Sequence, residues 1–311
     1  MVTKHTNCSL CNSNGYTIFK KVDSYQLMRC KRCGLVSLNP LQVPQEINKE
    51  YSAEYHIDRL LKKEPQTEEE IEEEINKTIE MAEEIGKQFV KRGKLLDIGC
   101  SAGFFMACLK RYGWDVTGID ISEWAGKFAM DRLGLEVFTG NIEDIQFSDK
   151  FNVVTMNHVL EHLSDPLRTL KKVSEIIAKD GVLIINGPNL NSFDRIWHGV
   201  NWRGYDLPYH LYHFTPITYQ AMLEKAGFSV QRIIFRYWDP ISHLLEIKLG
   251  DGIRADHHPH AFEGITKRNI YQKAKKNYVL KVITKIIRIM ARVSCLRGRD
   301  LTIYAKKKNA H

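Results

Sequence analysis

Hydrophobic and polar positions along the chain switch repeatedly between a two-residue and a helical period, and the switches mark the elements. The sharpest lies in the middle: an apolar run over 95–98 meets a glycine-bearing turn over 99–103, then a helical pattern over 104–112 closed by Gly113. A second apolar run, 116–119, ends in Asp120. Further on, the pattern predicts a Ser122-capped helix ending at Gly134 and strands over 135–138, 151–156 and 182–186. A helix opening at Asp165-Pro166 lies between the last two strands. Another runs from Thr215-Pro216 to Gly227, before a strand over 228–237 and a closing strand over 300–305. Upstream, Thr67-Glu68-Glu69-Glu70 is a capping box. Ile71, Ile75, Ile79, Ala82 and Ile85 follow at helical spacing and predict one helix with a buried stripe and a solvated acidic face.

Strands alternating with helices predict an α/β fold, and 311 residues are enough for one large α/β domain with a small appendage. The net charge of +8 is uneven, because Lys and Arg crowd the last fifty residues. No apolar run reaches the roughly 20 residues of a membrane span, and Met1-Val2-Thr3-Lys4 does not lead into a signal-peptide core. The expectation is a cytoplasmic protein whose seven cysteines are metal ligands or buried thiols.

Four of those cysteines form Cys8-x-x-Cys11 and Cys30-x-x-Cys33, the spacing of a four-thiolate zinc site, with alternating segments over 16–22 and 25–28 suited to a hairpin between two knuckles. A ribbon of about forty residues has too little core to fold alone, so the zinc is expected to be structural. The boundaries expected are a zinc ribbon over 1–40, a connector and helix over 41–90, a core over 91–238, a helical insertion over 239–297, and a closing strand with a basic tail over 298–311.

The turn after the first apolar run carries the candidate chemistry. Glycines there let backbone approach a ligand, and a following helix aims free N–H groups at it. Asp120 stands where a βαβ unit presents a carboxylate to ribose hydroxyls. The dinucleotide fingerprint G-x-G-x-x-G is not matched, since its positions read Gly99, Ser101 and Phe104. Gly99-Cys100-Ser101-Ala102-Gly103 does satisfy the hydrolase nucleophile elbow, G-x-S-x-G, but that reading leaves Asp97 and Asp120 without a use. Asp97-x-Gly99-x-Ser101-x-Gly103 followed by Asp120 resembles the class I S-adenosylmethionine-dependent methyltransferases, with Ser101 in place of the usual central glycine.

That resemblance implies a Rossmann-like seven-stranded sheet with helices on both faces, appended here to the small N-terminal zinc ribbon. It also implies a cofactor site made by Asp97, Gly99, Cys100, Ser101 and Gly103 around the amino-acid end, with Asp120 and Ile121 at the ribose. Asn141 and Ile142 would lie against the adenine, and Asn157 would close the site at the end of the fourth strand.

After that strand comes His158-x-x-Glu161-His162, which matches a zinc-peptidase motif but lacks the long helix that chemistry needs. It is similar instead to the post-strand segment of small-molecule methyltransferases, including the ubiquinone-biosynthesis O-methyltransferases. This resemblance implies a divalent metal at His158, Glu161 and His162, or a purely structural Glu161-His162 pair. No Asn/Asp-Pro-Pro-aromatic follows, which argues against methylation of nucleobase amines and against a nucleic-acid partner.

The aromatic, histidine-rich stretch over 197–214 has no regular period and is expected to roof the site, with Pro208, His210, His213 and Phe214 resembling a segment of the same subgroup. His162, His210 and His213 are the candidate general bases. Farther on, Lys281, Lys285, Arg288 and Arg292 line one stripe of an apolar helical pattern over 279–293. It is expected to pack on the core, or else to rest on the inner membrane face as a peripheral contact. The expected function is methyl transfer from S-adenosylmethionine to a small-molecule acceptor such as a sugar, lipid or quinone-type hydroxyl. The alternative is a zinc-ribbon RNA- or protein-binding module on a degenerate cofactor fold. The sequence leaves the oligomeric state open.

Overall fold

The computed structural model describes residues 7–40, 64–89, 91–236 and 298–308. The insertion expected over 239–297, with its 279–293 helix, lies outside the described residues.

Strands β4 (Lys94–Ile98), β5 (Asp115–Asp120), β6 (Glu136–Thr139), β7 (Phe151–Asn157) and β8 (Ile177–Pro188) are parallel neighbours, ordered β8-β7-β4-β5-β6. Strands β10 (Phe228–Arg236) and β11 (Asp300–Lys307) complete the sheet as β10-β11-β8, with β11 antiparallel to both neighbours. Ile233 faces Ile303 across this antiparallel pair.

A sheet covered on both sides needs strands that are apolar in both directions, and β4 supplies that: Leu95 and Leu96 are both fully buried but enter different hydrophobic clusters. Leu95 packs with the stripes of α1 (Glu68–Asn76), α2 (Ile79–Gln88), α3 (Phe104–Arg111) and α4 (Glu123–Leu133). Leu96 belongs to the cluster that contains α5 (Pro166–Ile176) and α7 (Pro216–Lys225).

The acidic helix is capped as expected, with Thr67 Oγ1 accepting from the Glu70 amide at 3.2 Å and Glu70 returning a carboxylate to the Thr67 amide at 3.3 Å. It is not continuous. The Thr78 hydroxyl donates to the Ile75 carbonyl at 2.7 Å and the Thr78 amide bonds the same carbonyl, so the chain tightens there and restarts as α2. Ile71, Ile75, Ala82 and Ile85 nevertheless all stay buried. Strand β8 also begins five residues before the predicted 182, because Ile177 already pairs with Phe151.

The N-terminal segment forms its own antiparallel sheet from β1 (Tyr16–Val22), β2 (Tyr25–Cys30) and β3 (Val36–Asn39). A fourth strand, β9 (Tyr212–His213), comes from the aromatic loop, with Val36 opposite His213 and Ser37 opposite Tyr212. The sequence pattern does not anticipate it. Leu27, Val36 and Leu38 consequently join one hydrophobic cluster with Leu211, Tyr212, Phe214 and Tyr219, so ribbon and α/β domain share a core. No described helix is long and apolar enough to cross a membrane.

Candidate functional site

Asp97 is the penultimate residue of β4 and Asp120 ends the adjacent β5, with Asp97 in register with Gly118 and Ile98 with Ile119. Between them the turn takes left-handed backbone at Gly99 (φ 71°), Ser101 (φ 49°) and Gly103 (φ 82°). Gly99 is needed for space as well as for its dihedral: a Cβ there would stand 2.4 Å from Val159 Cγ2. Ser101 stands in this conformation without being glycine, which places it under backbone strain at the centre of the turn.

The turn folds back over β5, spending the Gly99 and Cys100 amides on the Ile119 carbonyl at 2.7 and 3.1 Å. The Ser101 amide goes to Asp120 Oδ2 at 2.8 Å, and Asp120 Oδ1 accepts the Ser122 amide at 2.9 Å. These amides therefore orient Asp120 rather than standing open to a ligand. Cys100 is a buried thiol whose sulfur lies beside Gly118, so only its backbone borders the turn.

Asp97 is 2% exposed, and Thr155 donates its hydroxyl to Oδ1 at 2.6 Å. Burial raises its pKa, the Thr155 hydrogen bond opposes the rise, and the neighbouring Asp120 adds to it, leaving Asp97 at about 7. Two buried carboxylates around a strained turn suit a ligand that brings positive charge and hydroxyl donors. The cationic amino-acid end and ribose of S-adenosylmethionine fit that donor set. Ile121 follows Asp120 directly. Ile142 is buried at the end of β6, while Asn141 beside it is exposed. Asn157 ends β7 and accepts a hydrogen bond from Asn186 Nδ2.

The His158-x-x-Glu161-His162 motif lies in a left-handed residue, His158 (φ 53°), followed by a short 3-10 turn, Leu160–His162, so it has no helical peptidase geometry. Glu161 is completely buried; one carboxylate oxygen pairs with His158 Nδ1 at 3.2 Å and the other, Oε2, has no hydrogen-bond partner among the described residues. Burial alone would neutralise it. The His158 hydrogen bond and the His158, His162 and His210 imidazoles outweigh that, lowering Glu161 to about 2. The ligand atoms that converge within 4.8 Å belong to Glu161, His162 and His210. The set expected from the sequence is corrected accordingly: His158 serves as the ion-pair partner of Glu161, and His210 takes its place in the cluster.

Each histidine spends one ring N–H on the aromatic loop, since a carbonyl can only accept. His162 Nδ1 donates to the Tyr209 carbonyl at 3.1 Å, His210 Nδ1 to Gly204 at 3.0 Å, and His213 Nε2 to Tyr205 at 3.2 Å. The remaining nitrogens are thereby fixed as lone pairs in the neutral form. Burial and the facing His210 lower His162 to about 4, and the same two causes lower His213 to about 3. His210 and His213 are buried, at 7% and 3% exposure, and the loop is held by β9 in the ribbon sheet. Residues 202–214 are thus largely packed, while Trp197 at the start of the stretch is 56% exposed. Asp206, which the sequence does not single out, places Oδ2 3.8 Å from His210 Nε2.

The four ribbon cysteines form a second cluster. Cys8 and Cys33 sulfurs are 3.5 Å apart, as are those of Cys11 and Cys30, and the set lies within 4.8 Å. Four sulfurs at about 2.3 Å from a tetrahedral zinc stand about 3.8 Å apart, so the cluster fits that ion. Burial raises the Cys30 thiol, but the Cys33 and Arg32 amides and the Cys11 and Cys33 thiols outweigh it and bring it to about 7.

A family model described as a methyltransferase domain matches residues 66–233, more than half of the chain. The chain is 28% identical over 168 residues to a ubiquinone biosynthesis O-methyltransferase of Psychrobacter arcticus, covering 48% of this chain and 64% of that one. It is 34% identical over 107 residues to an enzyme of the same name from Actinobacillus pleuropneumoniae, covering 31% and 46%. The chain thus spans less than two thirds of either relative's length. Among solved structures, a SAM dependent methyltransferase from Archaeoglobus fulgidus superimposes with a TM-score of 0.50 at 22% identity, covering 75% of this chain and 94% of that one. The match over 66–233 and the sheet order β10-β11-β8-β7-β4-β5-β6 lead to one assignment: the chain belongs to the methyltransferase-domain family and has the class I, Rossmann-like fold.

Proposed function

We propose that the chain transfers the methyl group of S-adenosylmethionine to a hydroxyl of a small molecule. The observation that carries this reading is the buried Asp97/Asp120 pair flanking the strained 99–103 turn, a site shaped for a cationic ligand with vicinal hydroxyls. The cofactor supplies an electrophilic methyl group, and the protein's part is to place an acceptor oxygen in line and remove its proton. His210 is the base of choice: its Nδ1 proton is fixed by Gly204, and its Nε2 lies 3.8 Å from the Asp206 carboxylate. His162 and His213 are weaker candidates, because burial has lowered their basicity. Cys8, Cys11, Cys30 and Cys33 hold a structural zinc in this reading.

A second reading is favoured by the unpartnered Glu161 Oε2: Glu161, His162 and His210 would hold a divalent ion that polarises the acceptor hydroxyl. Turnover by the zinc-loaded protein that requires added magnesium or manganese supports it. Turnover unchanged by their omission leaves His210 as the base.

Titration of cofactor affinity against pH tests the main reading. Asp97, at about 7 in the free protein, must be ionised to favour a cation, so binding releases a proton. The sign follows: affinity falls about tenfold per pH unit below 7 and levels off above about 7.5. Asp97→Asn is expected to bind more weakly at pH 8 and to lose the slope. A wild-type affinity that is flat from about pH 5.5 to 8 overturns the assignment of Asp97.

A further inference from the structure

Strict alternation along β1 would turn Phe19 and Lys20 to opposite faces of the ribbon. The register slips between Ile18 and Lys20, however: Ile18 pairs with Met28 and Lys20 with Leu27, leaving Phe19 as the extra residue of a bulge. A bulge of this kind re-aims a side chain. Here it turns Lys20 to the face of its partner Leu27, the face packed on the α/β domain, where a lysine would ordinarily be avoided.

Two arginines lie against the ring of the neighbouring Phe19. The Arg29 guanidinium lies over the Phe19 ring at 4.5 Å, and Arg195 of α6 (Phe193–His198) approaches the same ring at 5.7 Å. Lys20 Nζ stands 5.7 Å from the Tyr205 ring centroid. Tyr205 is 2% exposed, and its hydroxyl has no hydrogen-bond partner of good geometry, although Arg195 lies close enough to act on it electrostatically. Among the described residues no carboxylate pairs with Lys20, Arg29 or Arg195.

We propose that Lys20, Arg29, Arg195 and the Tyr205 hydroxyl form an anion site at the seam of ribbon and α/β domain that holds a phosphate or diphosphate group of the acceptor. This rests on the methyl-transfer reading and narrows its acceptor class. The group must be multiply charged, because three cations and a hydroxyl donor cluster here with no carboxylate among the described residues; Arg195 Nε is held by the Leu190 carbonyl, and the remaining N–H groups of the guanidinium forks suit phosphate oxygens. The site also stands beside the proposed chemistry. The Tyr205 carbonyl accepts from His213, and the His213, His210 and His162 rings follow one another at centroid separations of 6.3 and 4.6 Å. A phosphorylated acceptor anchored at Tyr205 would reach His210 with its other end. The ribbon thereby contributes substrate contacts as well as stability.

Calorimetry of the zinc-loaded, full-length protein with inorganic pyrophosphate and with uridine 5′-diphosphate tests the site. Both are expected to bind with Kd below about 1 mM, more weakly as salt rises. Equal affinities indicate that the diphosphate alone is held, and tighter nucleotide binding indicates that the nucleoside is held as well; either supports the site. The double variant Lys20→Gln/Arg195→Gln is expected to weaken both at least about tenfold while keeping the wild-type cofactor affinity, which shows that it is folded. No saturable binding of either probe up to about 10 mM, or variants that bind as tightly as wild type, overturns the proposal. Cofactor binding is read separately, so failure of the anion site and failure of the methyltransferase reading give different results.

Discussion

Replacing His210 by asparagine is expected to slow the methyl-transfer step about a hundredfold while leaving cofactor affinity within about twofold of wild type. The choice of asparagine matters. The Nδ1 proton of His210 holds the Gly204 carbonyl at 3.0 Å, and an amide N–H can keep that hydrogen bond while removing the base. Alanine would also leave the buried Gly204 carbonyl without its partner and loosen the loop. If His210 only fastens the loop, His210→Asn transfers methyl groups normally and His210→Ala loses stability and cofactor affinity together. Single-turnover rates and cofactor titration on both variants separate these outcomes.

Removing the ribbon metal is expected to have the second large effect. The ribbon is not an independent appendage: β3 pairs with β9, the Leu38 amide bonds the Leu211 carbonyl at 2.9 Å, and Lys225 Nζ donates to the Leu10 carbonyl. Its hydrophobic residues share a cluster with Tyr212 and Phe214. Without a cross-link among Cys8, Cys11, Cys30 and Cys33, so small a sheet loses its fold, and residues 210–213 lose one wall. Elemental analysis should therefore find about one zinc per chain. Its removal should lower turnover at least about tenfold, whereas S-adenosylmethionine affinity, set by the β4–β5 turn, should stay within about threefold. Metal-free protein with unchanged turnover contradicts the coupling.

What the sequence reveals follows how local each interaction is. The cofactor turn is legible because Asp97, the 99–103 turn and Asp120 belong to one βαβ unit, where strand, turn and helix each leave their own residue signature. The helix caps at Ser122, Asp165 and Thr215 are local for the same reason, and each side chain accepts the expected amide. Strand β9 is two residues long and gains its partner from a segment about 175 positions earlier, so no periodicity marks it. The sequence therefore shows that the aromatic loop must pack, but not that part of it packs against the ribbon. Asp206 and the Phe19/Lys20 bulge are hidden similarly, since each acquires meaning only from a cross-chain neighbour. His210 joins Glu161 and His162 in one cluster while its Nδ1 is held by a loop carbonyl, Gly204, a contact that motif spacing cannot report.

The central claim is methyl transfer to a small molecule, and one measurement tests it most directly: mass spectrometry of a cell extract incubated with the protein and S-adenosylmethionine carrying an isotopically labelled methyl group. The account predicts that label appears in a small molecule with wild-type protein and is lost with Asp120→Ala, whose carboxylate is fixed by the Ser101 and Ser122 amides for the ribose. Label confined to RNA or protein, or no labelled product from protein that binds the cofactor, would contradict it.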